Sequence, residues 1–256
     1  MPARENKLKS ALAAGKKLYG CWAGFADPYP TEVLATAGFD WLAIDAEHAP
    51  NDLRTIMAQL QVLEGTDVAP VIRLPVGEPW MIKQVLDIGV QTLLIPMVES
   101  AEQARDLVRA MRYPPEGIRG SGAALGRASR FSDIPDYFTT ANEQMCLLVQ
   151  IETVAGLNAL EDICAVDGVD GVFIGPSDLA ADMGHMGDGG HPAVRKAIRD
   201  AMGRIKATGK VPGSLAVDHE MALAYRDWGA QILAVGIDVV MLAQAARATA
   251  ARWRDG

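Results

Sequence analysis

Residues 40–50, DWLAIDAEHAP, carry four apolar residues straight into Asp45, Glu47 and His48. Three ionisable groups at the end of a buried, strand-like run are costly unless a partner or ligand satisfies them. The same pattern recurs along the chain. Polar or hydrogen-bonding residues that close other apolar runs are Trp22, Arg73, Gln150 and Glu152, with Asp178 just past a further one. Arg73 at such a place can grip an anionic or carbonyl oxygen and stabilise charge that develops on it; a buried salt bridge is the plainer alternative. His48 can act as a general base near neutral pH, or sit as a satisfied structural histidine. Two-residue alternation puts Gln150 and Glu152 on one face of their strand, and a lone carboxylate there calls for a cation.

Asp178, in FIGPSDL, is the natural second anion. Gly175, Pro176 and Ser177 form a tight turn into a helix start, whose free N–H groups near Ser177 and Asp178 suit a ligand carboxylate. Two carboxylates without His or Cys describe a hard-ion site for Mg2+ or Mn2+, with Co2+ or Zn2+ as lesser options. An ion pair with Arg73 is the simpler reading of those carboxylates. An arginine, a histidine base and a carboxylate-held ion suit proton removal beside a carbonyl, or carbon–carbon bond formation through an enolate. Acid–base catalysis supplies roughly 10²–10⁴-fold, so such a site also needs an electron sink. None of the eight lysines closes a strand, which leaves a metal rather than a Schiff base. His185, His191 and His219 read as solvated or capping residues.

These residues need elements to position them. Apolar runs at 18–24, 40–46, 69–75, 91–98, 145–152, 168–175, 210–217 and 230–237 alternate with stretches of helical period that begin at Asn, Ser or Asp and end at Gly. Eight strand-plus-helix units in 256 residues predict a single (β/α)8 TIM barrel over 1–256, with chemistry on the loops that follow the strands; a doubly wound open sheet is the alternative. Residues 113–144 break the rhythm and are expected to form a functional excursion or an oligomer contact. Their Gly120, Gly122 and Gly126 lack the spacing and leading strand of a dinucleotide site.

The net charge of -8 with scattered basic residues argues against nucleic-acid or anionic-membrane partners and for a small-molecule substrate. Three widely spaced cysteines suggest neither disulfides nor zinc. No run of about 18 apolar residues and no signal-peptide h-region is present, so a cytoplasmic protein is expected.

FDWLAIDAEHAPND, RYPPEGIRG, LVQIET and GVDGVFIGPSDLAADMG together resemble the metal-dependent class II pyruvate aldolases of the 4-hydroxy-2-oxoheptanedioate and 2-keto-3-deoxy sugar acid aldolase family. The resemblance covers nearly the whole chain. It implies a pyruvate/phosphoenolpyruvate-type barrel, a homohexamer of paired trimers that often exchanges its last helix, and reversible cleavage of 4-hydroxy-2-oxo acids to pyruvate and a small aldehyde. Hydroxypyruvate chemistry and aromatic catabolism belong to the same expectation. It further implies that Glu152 and Asp178 ligate the ion, that Arg73 steadies the pyruvate enolate, and that His48 pairs with an aspartate matching Asp87. Asp45 and Glu47 would hold waters around the site, while Gln150 and Trp22 would hydrogen-bond substrate. The GSGAALGR loop, Ser214 and Leu215 would wall the aldehyde, with Ser214, smaller than the family's usual residue, widening the pocket. Rival readings are a CoA-ester lyase of the citramalyl or malyl type, which would need a basic groove, and a non-catalytic keto-acid-binding barrel, which has no use for His48 and Asp87.

Overall fold

A computed structural model describes residues 2–254. All eight expected strands are present and parallel: β1 (Leu18–Ala23), β2 (Trp41–Asp45), β3 (Ala69–Arg73), β4 (Thr92–Ile95), β5 (Cys146–Ile151), β6 (Gly171–Ile174), β7 (Val211–Leu215) and β8 (Ile232–Ile237). They follow one another around a closed barrel, and the pairing of β1 with β8 rules out the open sheet. Parallel neighbours require helical crossovers, which the intervening helices supply.

Alternation sorts each strand into a lumen face and a helix face. Trp22, Trp41, Ala43, Val71, Leu94, Cys146, Leu148, Phe173, Val211, Ile232 and Ala234 fill the lumen, and Leu8 and Leu12 of the helix Lys7–Ala13 pack onto the same cluster. Leu42, Ile44, Ile72, Leu93, Leu147, Val149 and Val172 face the surrounding helices. The lumen parity of β5 (Cys146, Leu148) continues to Gln150 and Glu152, as expected from their spacing. Cys21, Cys146 and Cys164 are buried and free. Among the described residues no helix is long and apolar enough to cross a membrane.

Residues 113–144 lead from the helix Ala101–Met111 to the start of β5, which puts them at the N-terminal end of the barrel, away from the strand-end loops. Two 3-10 turns and the helix Tyr137–Gln144 fold there over a satellite core of Tyr113, Ala123, Ile134, Tyr137 and Ala141. Arg127 ties the segment to the barrel by donating to the Ile88 carbonyl at 3.2 Å and pairing with Glu64.

Candidate active site

Register aligns Asp45 at the end of β2 with Arg73 at the end of β3, both on the lumen face. Their side chains form a two-pronged pair: Arg73 Nε donates to Asp45 Oδ1 at 2.9 Å and Nη2 to Oδ2 at 2.7 Å. Glu47 Oε2 lies 2.9 Å from Nη1, an ion-pair contact without a hydrogen bond. The guanidinium lies over the Trp22 ring, 5.0 Å from its centre, and Trp22 in turn packs on Trp41 and Phe173. Asp45 and Glu47 therefore hold Arg73 itself, and Trp22 is a platform beneath it. Burial alone would raise the Asp45 pKa, but the Arg73 pair and the N–H groups of Glu47 and His48 hold it below the usual carboxylate range. At Glu47 burial prevails over Arg73 and His48 and pushes the carboxyl up, with Asp45 and Asp178 adding to it.

A second group sits at the ends of β5 and β6. Glu152 is only 2% exposed; its Oε1 accepts from the Met97 N–H at 3.0 Å and its Oε2 from Gln150 Nε2. Burial pushes Glu152 up to about 6, the two hydrogen bonds oppose this, and Asp178 and Glu47 add repulsion. Asp178 stands in the first turn of the helix Pro176–Asp182, exposed at the mouth beside Ser177. Its charge reaches both Glu152 and Glu47, so the two groups form one site at the C-terminal end of the barrel. His48 belongs to the rim: it is 68% exposed, with Nε2 3.9 Å from Glu47 Oε2.

A divalent cation fits this donor set. Three carboxylates repel one another at the mouth, and Gln150 Oε1 is buried without a partner. Among the described residues no three His, Cys, Asp or Glu side chains assemble into a protein-only cage. Glu152 and Asp178 would thus leave most coordination positions to substrate and water, the usual arrangement for a hard ion such as magnesium.

Three expectations need correcting. Ser214 does not line the pocket: it is fully buried on the helix face of β7 and donates to the Ile174 carbonyl at 2.9 Å, while Gly213 and Leu215 take the lumen side. The GSGAALGR loop lies beside Asp87, and hence at the barrel end opposite the site of its own chain. Asp87 closes the helix Pro79–Asp87, which starts near the mouth and runs back toward the N-terminal end, so it cannot pair with His48 of the same chain. Its partner is Arg119, at 2.8 Å.

Met97 carries no signal in the sequence, for its backbone is left-handed (φ 54°) and its contribution is an N–H. Gln103 Nε2 holds the Met97 carbonyl at 3.1 Å, and the Val98 N–H donates to the Gln150 carbonyl at 3.0 Å, so this strained turn is fixed from both sides. Nor was Asp238 foreseen: buried at the end of β8, it accepts from the Gly24 N–H at 2.9 Å and the Phe25 N–H at 3.3 Å, pinning the loop after β1. Gly175 is required because a Cβ there would overlap Glu152 Oε2.

Residues 18–245 match the HpcH/HpaI aldolase/citrate lyase family. The chain belongs to this family. It is 72% identical over 254 residues to a hydroxypyruvate/pyruvate aldolase of Roseovarius nubinhibens, covering 99% of each chain. It is 53% identical over 249 residues to a 4-hydroxy-2-oxo-heptane-1,7-dioate aldolase of Escherichia coli, covering 97% of this chain and 95% of that one. Among solved structures, a HpcH/HpaI aldolase/citrate lyase family protein from Burkholderia cenocepacia superposes with a TM-score of 0.93 at 40% identity, covering 97% of this chain and 99% of the other.

Proposed function

We propose that this aldolase-family chain is a carbon–carbon lyase that cleaves 4-hydroxy-2-oxo acids to pyruvate and an aldehyde, and in reverse adds pyruvate or hydroxypyruvate to small aldehydes. The observation that carries the reading is Arg73, clamped by Asp45 and Glu47 across the mouth from Glu152 and Asp178. A guanidinium has five donors. Asp45 engages two of them by hydrogen bonds and Glu47 lies against Nη1 as an ion-pair partner, so donors remain for the keto oxygen on which charge develops as the bond breaks.

Glu152 and Asp178 would hold a divalent ion, which when bound polarises the 2-oxo acid and serves as the electron sink. First-turn N–H groups at Ser177 and Asp178 lack helical acceptors and suit the substrate carboxylate. His48, exposed at the rim, takes the proton of the 4-hydroxyl group in cleavage and returns it in synthesis. Leu215, on the lumen face, remains as a wall for the aldehyde.

Asp87 enters this scheme only from another copy. Its helix carries it to the far end of its own barrel, while exposed apolar side chains beside it, Leu125 and Phe131, favour a contact between copies. In a hexamer, Asp87 of one copy would fix the tautomer of His48 in the next.

The test is turnover. With magnesium or manganese, the protein should release pyruvate from 4-hydroxy-2-oxoheptanedioate and join hydroxypyruvate to a short aldehyde. Arg73→Met should lower kcat/KM by about 10²–10³-fold, the scale of one lost group that stabilises developing charge. Pyruvate binding without any turnover would favour the capture protein, and activity seen only with CoA esters would favour the citramalyl or malyl lyase.

A further inference from the structure

The Arg119 side chain has no solvent exposure. Within the 113–144 segment its guanidinium carbon lies 4.4 Å from the centre of the Tyr113 ring and 6.0 Å from that of Tyr137. Nη1 is 4.0 Å from Met145 Sδ, and Nε is buried without a partner. Burial pushes the Tyr113 phenol far up, so that ring stays neutral and offers a π face rather than a second anion. Among the described residues the carboxylate paired with Arg119 is Asp87, whose Oδ1 accepts from Nη2 at 2.8 Å.

The form of this pair differs from simple neutralisation of a buried charge. A guanidinium cut off from water is best matched by both oxygens of a carboxylate, as Asp45 shows at Arg73. Asp87 gives Arg119 only one. Its Oδ2 lies beside Gly122, whose added Cβ would come only to ordinary contact with it at 4.0 Å. The Asp87 side chain is 25% exposed, on a concave face of about 780 Å3 lined in part by Met57, Lys83, Gly122 and Leu125. One oxygen is held from within while the other is offered to the outside.

We propose that Arg119 is a positioning residue for catalysis, clamping Asp87 Oδ1 so that Oδ2 is presented, fixed in direction, to His48 of the partner subunit. The inference rests on the reading that Asp87 of one copy completes His48 of another. A carboxylate can hold an imidazole in one tautomer only while its own orientation is held, and the Tyr113 and Tyr137 rings leave the Arg119 fork little room to turn. Because Asp87 and Arg119 sit apart from Arg73, Glu152 and Asp178, their loss should slow turnover without weakening substrate or metal binding.

The experiment is a double-mutant cycle in the full-length protein with manganese, reading kcat and KM for aldol cleavage, the manganese Kd, and assembly by sedimentation. Arg119→Met should lower kcat about 10–100-fold with KM and the manganese Kd unchanged. Asp87→Asn should lose at least as much, and the double variant should be no worse than Asp87→Asn alone, because the two residues act as one unit. Arg119→Gln, neutral but still able to donate, should recover part of the loss and stands in if Arg119→Met does not assemble. Wild-type kcat in Asp87→Asn would overturn the cross-copy reading itself. A damaged Asp87→Asn beside an unaffected Arg119 variant, additive losses, or failure of both Arg119 variants to assemble would overturn the positioning role alone.

Discussion

At the scale of single residues, the site places one cation, Arg73, among carboxylates that repel one another. Glu152 measures this imbalance, since burial lifts it from the ordinary 4.5 to about 6. Its folded pKa lies above its unfolded one, so the metal-free fold binds this proton more tightly than the unfolded chain does. Stability is therefore lost as pH rises from about 4.5 through 6, by on the order of 2 kcal/mol. Thermal melts of the chelated protein should show that loss, Glu152→Gln should lack it, and added magnesium should stabilise more at pH 7.5 than at pH 5. Arg73, Glu152, Asp178 and His48 were legible because each breaks an apolar strand or follows one, where a charge needs a reason. Met97 was not, because its side chain plays no part in the contact that matters. Asp87 came from family resemblance alone; its helix end gives no chemical signal until Arg119 is seen beside it.

At the scale of elements, the turn from β6 into the helix Pro176–Asp182 carries the tightest constraint. Gly175 lies against Glu152 and Gln150, so Gly175→Ala should push the carboxylate aside while leaving the barrel folded. The expected result is a manganese Kd weakened about 10–100-fold with near-native circular dichroism; unchanged affinity would mean that Glu152 is not held as described. The eight strands were legible from apolar runs and helical periods. Their ends are shorter than the apolar runs: the strand expected over 168–175 starts only at Gly171, after a turn in which Gly168 is left-handed (φ 97°). The Ser214 error was one of parity. Neighbours on a strand face opposite ways, and only the lumen-facing Gly213 and Leu215 fix which way Ser214 points.

At the scale of the whole molecule, barrel topology puts two groups of polar residues at opposite ends. Strand ends and the loops after them carry Arg73, His48, Glu152 and Asp178, while the 113–144 segment and Asp87 lie at the opposite end. The last helix, Asp238–Arg254, buries only Asp238 and exposes Val239, Met241, Leu242 and Trp253, the pattern of a helix awaiting a partner. The intact protein should sediment at six times the 27.3 kDa chain mass, and a variant ending at Leu242 should form smaller assemblies with at least tenfold lower activity; an unchanged mass would remove this helix from the interface. The sequence could not show this separation, because apolar alternation reveals a barrel without revealing which surfaces of two copies meet. The central claim is that Glu152 and Asp178 share a divalent ion facing Arg73, so that pyruvate can be held as its enolate. Exchange of the pyruvate methyl protons in deuterated water, followed by NMR, tests it most directly. Exchange should require magnesium or manganese, stop with chelator, and fall at least a hundredfold in Glu152→Gln; undiminished exchange in the chelated protein or in that variant would contradict it.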